Sequence, residues 1–225
     1  MTLTLSKISL SPRSRTVNLD LGDAGAMHRR VMSLLPDSLS STPRAEAHLL
    51  YRVEETSHGV HLLVQSGSHL DLTGLPPGYA LTTRTLDLEA FTERLSEGTA
   101  VRYSIVVNPT VARVDPASGI SRGSRRALTE AADISAWWMR RSGQAGLSID
   151  PSAIQYDTLT PVTGKRKATG TAALPGAVDA VHHHAVRVEG LATIAAVTDL
   201  RSALVNGIGA GKAHGLGLLL VVPGK

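Results

Sequence analysis

The chain has 225 residues, enough for two small domains that each bury a core, with 42% hydrophobic and 19% charged residues. Lys and Arg outnumber Asp and Glu by 23 to 19, and the basic residues cluster at 122–126, at Arg140 with Arg141 and at 165–167, which points to a phosphate-bearing partner. The absence of cysteine excludes disulfides, thiolate zinc sites and cysteine nucleophiles. No run approaches the ~18 apolar residues that cross a bilayer, and Met1 to Leu5 lacks the marks of a signal peptide, so the expectation is a cytoplasmic protein with no membrane partner. One Phe, two Trp and four Tyr leave little for stacking bases. A nucleic-acid ligand would have to be read through its backbone and duplex shape.

In chain order, residues 3–10 read as a strand whose apolar parity shifts between Leu5 and Ile8. A polar turn at 11–15 leads to a helix over about residues 24–35, with Asp23 as N-cap and Pro36 as its stop. Met27, Val31, Leu34 and Leu35 form its buried stripe; His28 lies on the border of that stripe, where a side chain can face a cleft, and Arg29 and Arg30 turn outward. Strands follow at 45–54 and 60–66, then a long connection at 67–86, a short helix at 87–95 and a strand at 100–107. That order of strand, helix, two strands, helix and strand is ferredoxin-like, and it closes a first domain over residues 1–110.

A second domain, 111–225, opens with a polar, basic loop at 113–126, too poor in apolar residues to pack. Thr129 would cap a helix that carries Ile134, Trp137, Trp138 and Arg141; the two tryptophans are packing residues, at least one of them facing outward. Strands at 153–159 and 180–189 bracket a projecting basic loop at 163–170, and a helix over 198–205 ends at Gly207. Asn206 to Gly217 is a glycine-rich loop leading into an apolar strand. It is not a Walker loop, which would need glycine at Asn206 and a hydroxyl at Ala213, and it is not a dinucleotide fingerprint, because its strand follows the glycines. The fold class expected is α+β, two tandem ferredoxin-like units of the RRM-like kind.

Ser14-Arg15, Met27-His28-Arg29, Leu50 to Glu54, Leu62 to Ser66, Asn108-Pro109-Thr110 and the glycine-rich loop with Leu218 to Pro223 occur in this order along the chain. Together they make the chain resemble the CRISPR repeat-processing endoribonucleases of the type I-E Cascade complex, the CasE family of RAMP proteins. The resemblance implies a protein that binds the stem-loop of the CRISPR repeat, cuts precursor crRNA at the base of the stem without metal or cofactor, and stays bound to mature crRNA beside other Cascade subunits. Family members often carry a tyrosine three residues before the histidine, where this chain has Gly25, and arginines on the strand that here reads Tyr103 to Val107.

Metal-free RNA cleavage needs a base for the ribose 2′-OH proton and an acid for the departing 5′-oxygen, and histidine suits either transfer. The resemblance makes His28 the catalytic histidine, with a 2′,3′-cyclic or 3′ phosphate and a 5′-hydroxyl as products. Arg15, Arg29, Arg125, Arg126, Lys165, Arg166, Lys167, Gly209, Gly211 and Lys212 are the expected RNA-binding residues; Arg29 and Lys212 are candidates for the scissile phosphate. His214 could serve as partner acid or base, but reads better as a replacement for an uncharged loop residue. His182 to His184 read as an ordinary, partly exposed strand, since successive strand residues point to opposite faces and do not converge on one ion. Two competing readings are a non-catalytic RNA-binding subunit with His28 incidental, and a structural subunit whose glycine-rich loop docks protein.

Overall fold

The computed structural model describes residues 3–40, 42–114, 121–167 and 177–224. The first unit contains β1 (Thr4–Leu10), α1 (Arg15–Gly22), α2 (Ala24–Met32), the one-turn α3 (Pro43–Glu46), β2 (Leu50–Thr56), β3 (Gly59–Ser66) and β4 (Ala80–Asp87). Its antiparallel strands lie in the order β2-β3-β1-β4, which is the ferredoxin-like arrangement of fourth, first, third and second strand read from the other edge. Ile8, Val17, Met27, Val31, Leu34, Tyr51, Leu62 and Val64 form its core. The expected helix starts at Ala24 with Asp23 as its cap, whose carboxylate accepts from the N–H groups of Gly25 and Ala26, and it ends at Met32, short of the expected Leu35.

The second unit runs through α4 (Glu89–Glu93), β5 (Ala100–Val107), β6 (Thr110–Val114), β7 (Ser121–Ala127), α5 (Ala131–Gln144), β8 (Leu147–Ser148), β9 (Gln155–Thr158), β10 (Val162–Lys167), β11 (Val178–His183), β12 (Val186–Ile194), α6 (Val197–Asn206) and β13 (Leu219–Pro223). Its main sheet has the order β13-β5-β12-β8, with β9 also on β12. This repeats the ferredoxin-like order, with α5 and α6 as the crossover helices and two antiparallel hairpins, β6-β7 and β10-β11, inserted between its elements. Tyr103, Ile105, Trp137, Trp138, Val188 and Leu200 are central to its core.

Several expectations are corrected by this architecture. The strand at 100–107 does not close the first unit: it pairs with β12 and β13 in the second sheet. The fourth strand of the first sheet is instead β4, inside the segment read as a connection. β4 is an edge strand exposed along nearly its whole length, so no alternation of apolar residues marks it. A helix at 15–22 is also added; only Val17 and Asp20 are buried on it, too few to make a stripe. The first expected strand of the pair begins at Leu50, with α3 before it.

The segment 113–126 is not wholly a loop, because β6 and β7 pair across it; its residues 115–120 lie outside the described residues. Likewise residues 163–167 of the expected basic loop are strand, while 168–170 lie outside the described residues. The expected strand 180–189 is two strands that part after His183. Both tryptophans are buried, at 2% and 0% exposed, because α5 is covered on two sides: Trp138 Nε1 donates to Tyr103 Oη at 3.1 Å, and Trp137 lies beneath Gly209.

The two sheets meet along a packed seam. Leu50, Leu63 and Leu218 are buried there with Leu5 and Leu220 against them. Gln65 Nε2 donates to the Leu204 carbonyl at 2.8 Å, and the buried Arg52 pairs with Glu54 and donates to Ser104 Oγ at 3.1 Å. Buried polar groups that cross the seam are satisfied only in one relative placement of the units, so they fix its register as well as holding it.

Candidate active site

The glycine-rich loop lies on this seam. Gly207 ends α6 at φ 68°, and Gly211 and Gly215, at φ 86° and 81°, flank a single 3-10 turn, Lys212–His214. Positive φ at both ends of so short a turn is a glycine property. The turn is fixed from both sides: His214 N–H donates to the Gly211 carbonyl at 2.8 Å, and Tyr51 Oη of the first unit donates to the Ala213 carbonyl at 3.0 Å. Lys212 and His214 are thereby carried up to α2.

Three imidazoles from three distant segments meet at this point. His28 comes from α2, His214 from the turn and His183 from the end of β11. The rings of His28 and His214 lie edge to face with centroids 6.1 Å apart, and His183 Nε2 is 2.9 Å from His214 Nδ1. His183 Nδ1 in turn is 3.1 Å from the amide nitrogen of Asn108, which is 6% exposed. His28 Nδ1 is buried without a hydrogen-bond partner among the described residues, leaving Nε2 as its nitrogen for outside chemistry.

Charge around the cluster is positive. Burial, then the cations Arg44 and Arg29, hold His28 below the usual histidine range. Burial, then His183, His28 and Arg166, pull His214 down to about 4, with Asp23 opposing. Burial, then His182 and Arg166, lower His183, and burial with Arg44 and Arg141 lowers Lys212. A cluster of neutral imidazoles ringed by cations is prepared for an anion, whose arrival would favour protonation of the rings.

Two clefts of about 500 and 520 Å³ open beside the cluster. Lys212 lines the first with Arg125, Arg141, Trp137 and Gly209, and His214 lines the second with Met27, Tyr51 and Thr163. The structure therefore places Arg29 and Arg44 beside His28, Arg44 and Arg141 beside Lys212, and Lys212 with Arg125 on the first cleft. Gly209 packs on Trp137 and Gly211 on Leu216 and His183, and both have φ 86°, so backbone conformation by itself accounts for both glycines. Lys165 and Arg166 are exposed on β10 beside α2, where Arg166 pairs with Asp179 at 3.2 Å; of the Lys167 side chain nothing is described. Arg15 starts α1, exposed, and Arg126 is exposed on β7 next to Arg125.

Three site residues were missed in the sequence. His183 belongs to the cluster and is not an ordinary strand residue, and Asn108 holds it. Arg44 comes from the one-turn α3, which carries no pattern. Consecutive histidines on an isolated hairpin strand were a signal for His183 only in hindsight of where β11 ends.

The fold and site define an α+β protein of two tandem ferredoxin-like units with a histidine cluster on their seam. The model of the CRISPR associated protein family matches residues 3–223, so the chain belongs to that family. It is 30% identical over 228 residues to the CRISPR-associated endoribonuclease Cse3 of Thermus thermophilus, covering 97% of this chain and 99% of that one. A structure of Thermus thermophilus Cse3 bound to an RNA representing a pre-cleavage complex superposes with a TM-score of 0.75 at 25% identity, covering 99% and 100% of the two chains. A chain of a CRISPR RNA-guided surveillance complex in its pre-nicking state matches with a TM-score of 0.65 at 33% identity, over 98% and 99%.

Proposed function

We propose that this protein is a metal-independent endoribonuclease that binds the stem-loop of the CRISPR repeat in precursor crRNA, cuts at the base of the stem and remains on the mature crRNA as a Cascade subunit. The observation that carries this reading is His28 at a cation-ringed seam, in a chain 30% identical over nearly its whole length to an endoribonuclease. The likeness to a Cse3 structure holding a pre-cleavage RNA supports the substrate, and the likeness to a surveillance-complex chain supports the assembly.

In this mechanism the ribose 2′-oxygen attacks the adjacent phosphorus in line as the bond to the 5′-oxygen breaks. His28 performs one of the two proton transfers, a contribution of about 10²–10⁴-fold for a positioned acid or base. Lys212, Arg29 and Arg44 stabilise the charge that builds on the phosphoryl oxygens. Lys165, Arg166, Lys167, Arg125, Arg126 and Arg15 contact phosphates of the stem. The products are a 2′,3′-cyclic or 3′ phosphate and a 5′-hydroxyl.

The test is incubation with the host's own repeat hairpin in EDTA, using RNA with and without a 2′-deoxy sugar at the nucleotide before the cut. One cut leaving a 5′-hydroxyl, blocked by the 2′-deoxy sugar, is expected. A 5′-phosphate product, or cleavage lost in EDTA and restored by magnesium, contradicts the reading.

A further inference from the structure

The position that often carries tyrosine in the family is closed in this chain. A Cβ on Gly25 would run into the carbonyl of Lys165, so α2 supplies His28 and no second proton-transfer group at that place. Tyr51 is near, but its hydroxyl is committed to the Ala213 carbonyl and burial pushes its ionisation well above the ordinary range. What faces His28 is His214, the outer end of a chain of polar contacts that runs back through His183 to Asn108 after β5.

That chain has a direction set by chemistry. The Asn108 amide nitrogen can only donate, so at 3.1 Å it gives a hydrogen to His183 Nδ1. In the neutral ring His183 then carries its own hydrogen on Nε2 and donates it to His214 Nδ1 at 2.9 Å. His214 is held through Nδ1, which leaves Nε2 as the nitrogen available to a substrate. The buried Oδ1 of Asn108 has no partner among the described residues. It acquires a use when the rings charge: rotation of the amide lets Oδ1 accept from His183 Nδ1–H, so a proton taken up by His214 is shared over two rings.

Resting on the reading of the site as a ribonuclease centre, we propose that His214 is the second proton-transfer group, paired with His28, and that His183 and Asn108 are positioning residues that set its tautomer and spread its charge. The balance is complete. The 2′-oxygen–phosphorus bond forms and the phosphorus–5′-oxygen bond breaks; neutral His28 takes the 2′-OH proton, and His214, whose Nε2 carries hydrogen because Nδ1 accepts from His183, is protonated once the phosphate is bound and gives its Nε2 proton to the 5′-oxygen. Depression of His214 to about 4 fits a ring that is neutral until the phosphate arrives.

The experiment measures single-turnover cleavage by wild type, His28→Ala, His214→Ala and His183→Gln, on normal RNA and on RNA with sulfur in place of the bridging 5′-oxygen. Sulfur leaves without an acid, so it relieves loss of the acid and not loss of the base. Because His214 lies in a packed turn, His214→Asn is a second variant, and each variant must first bind the RNA with wild-type affinity. The expected results are a loss of about 100-fold or more in His28→Ala and in both His214 variants, about 10-fold or less in His183→Gln, which keeps a polar partner for His214 Nδ1, and sulfur relief in the His214 variants only. His214 variants that cut at the wild-type rate while His28→Ala is inactive overturn this inference alone. Relief of His28→Ala, or of neither site, overturns the division of labour. A fully active His28→Ala overturns the underlying ribonuclease reading.

Discussion

Asp23 Oδ1 accepts the backbone N–H of Lys165 at 3.0 Å while it also caps α2 through the N–H of Gly25 at 2.8 Å. One carboxylate thus starts the helix that carries His28 and anchors it to the basic strand β10. Asp23→Ala should cost about 1 kcal/mol for the cap and more for the lost anchor, lowering the melting temperature by several degrees and the cleavage rate by more than the RNA affinity. The bonds from Lys165, Gly25 and Ala26, against a smaller burial cost, hold the Asp23 carboxyl below its ordinary 3.8. A depressed carboxylate contributes stability that is present above 3.8 and fades as pH falls through the lower folded value. Thermal melts of wild type and variant should therefore converge in strong acid.

Gly25 gives a sharper steric test. Alanine is favoured over glycine inside a helix by about 1 kcal/mol, so Gly25→Ala on an isolated helix would stabilise. Here its methyl meets the Lys165 carbonyl, and overpacking of this kind costs about 1–3 kcal/mol. Chemical denaturation should show a net loss of stability, and a gain would mean that α2 and β10 are not packed as described.

Acid should also loosen the seam through the histidines. His28, His183 and His214 are all held low in the fold, His214 to about 4 against an ordinary 6.5. The unfolded chain then binds more protons than the native one, so stability rises with pH across this window. Above pH 6.5 the effect is absent; it grows as pH falls toward about 4. Denaturation midpoints measured over that range should decline for the wild type and decline less for His214→Asn.

Phosphate binding should appear in the salt dependence of RNA affinity. Removing Lys165, Lys212 or Arg125 one at a time should weaken binding and reduce the slope of log affinity against log salt by about one unit for each phosphate left without its cation. Arg166, which already shares its charge with Asp179, should give a smaller change. Equal slopes for all variants would show that these cations do not meet the RNA backbone.

What could be read from the residues follows from which forces leave local patterns. α2 was legible because its cap and its buried Met27 and Val31 are written within one stretch of chain. The glycine-rich loop was legible because positive φ demands a residue type. β4 was not, since an exposed edge strand needs no buried alternation, and β5 was placed in the wrong sheet because its pairing partners, β12 and β13, lie far along the chain and leave no local trace. The same limit applied to the site: His28 stands in a motif, whereas His183 and Asn108 reach it only through the meeting of β11, β5 and the loop. One of the two tryptophans was expected to face outward, and neither does, because the glycine-rich loop covers Trp137.

The most direct measurement is single-turnover cleavage of the host's repeat hairpin in EDTA by wild type and by His28→Ala, with RNA affinity measured alongside. The expected result is a rate loss of about 10²–10⁴-fold with binding within about twofold. A variant that cuts as fast as the wild type would contradict the assignment of His28.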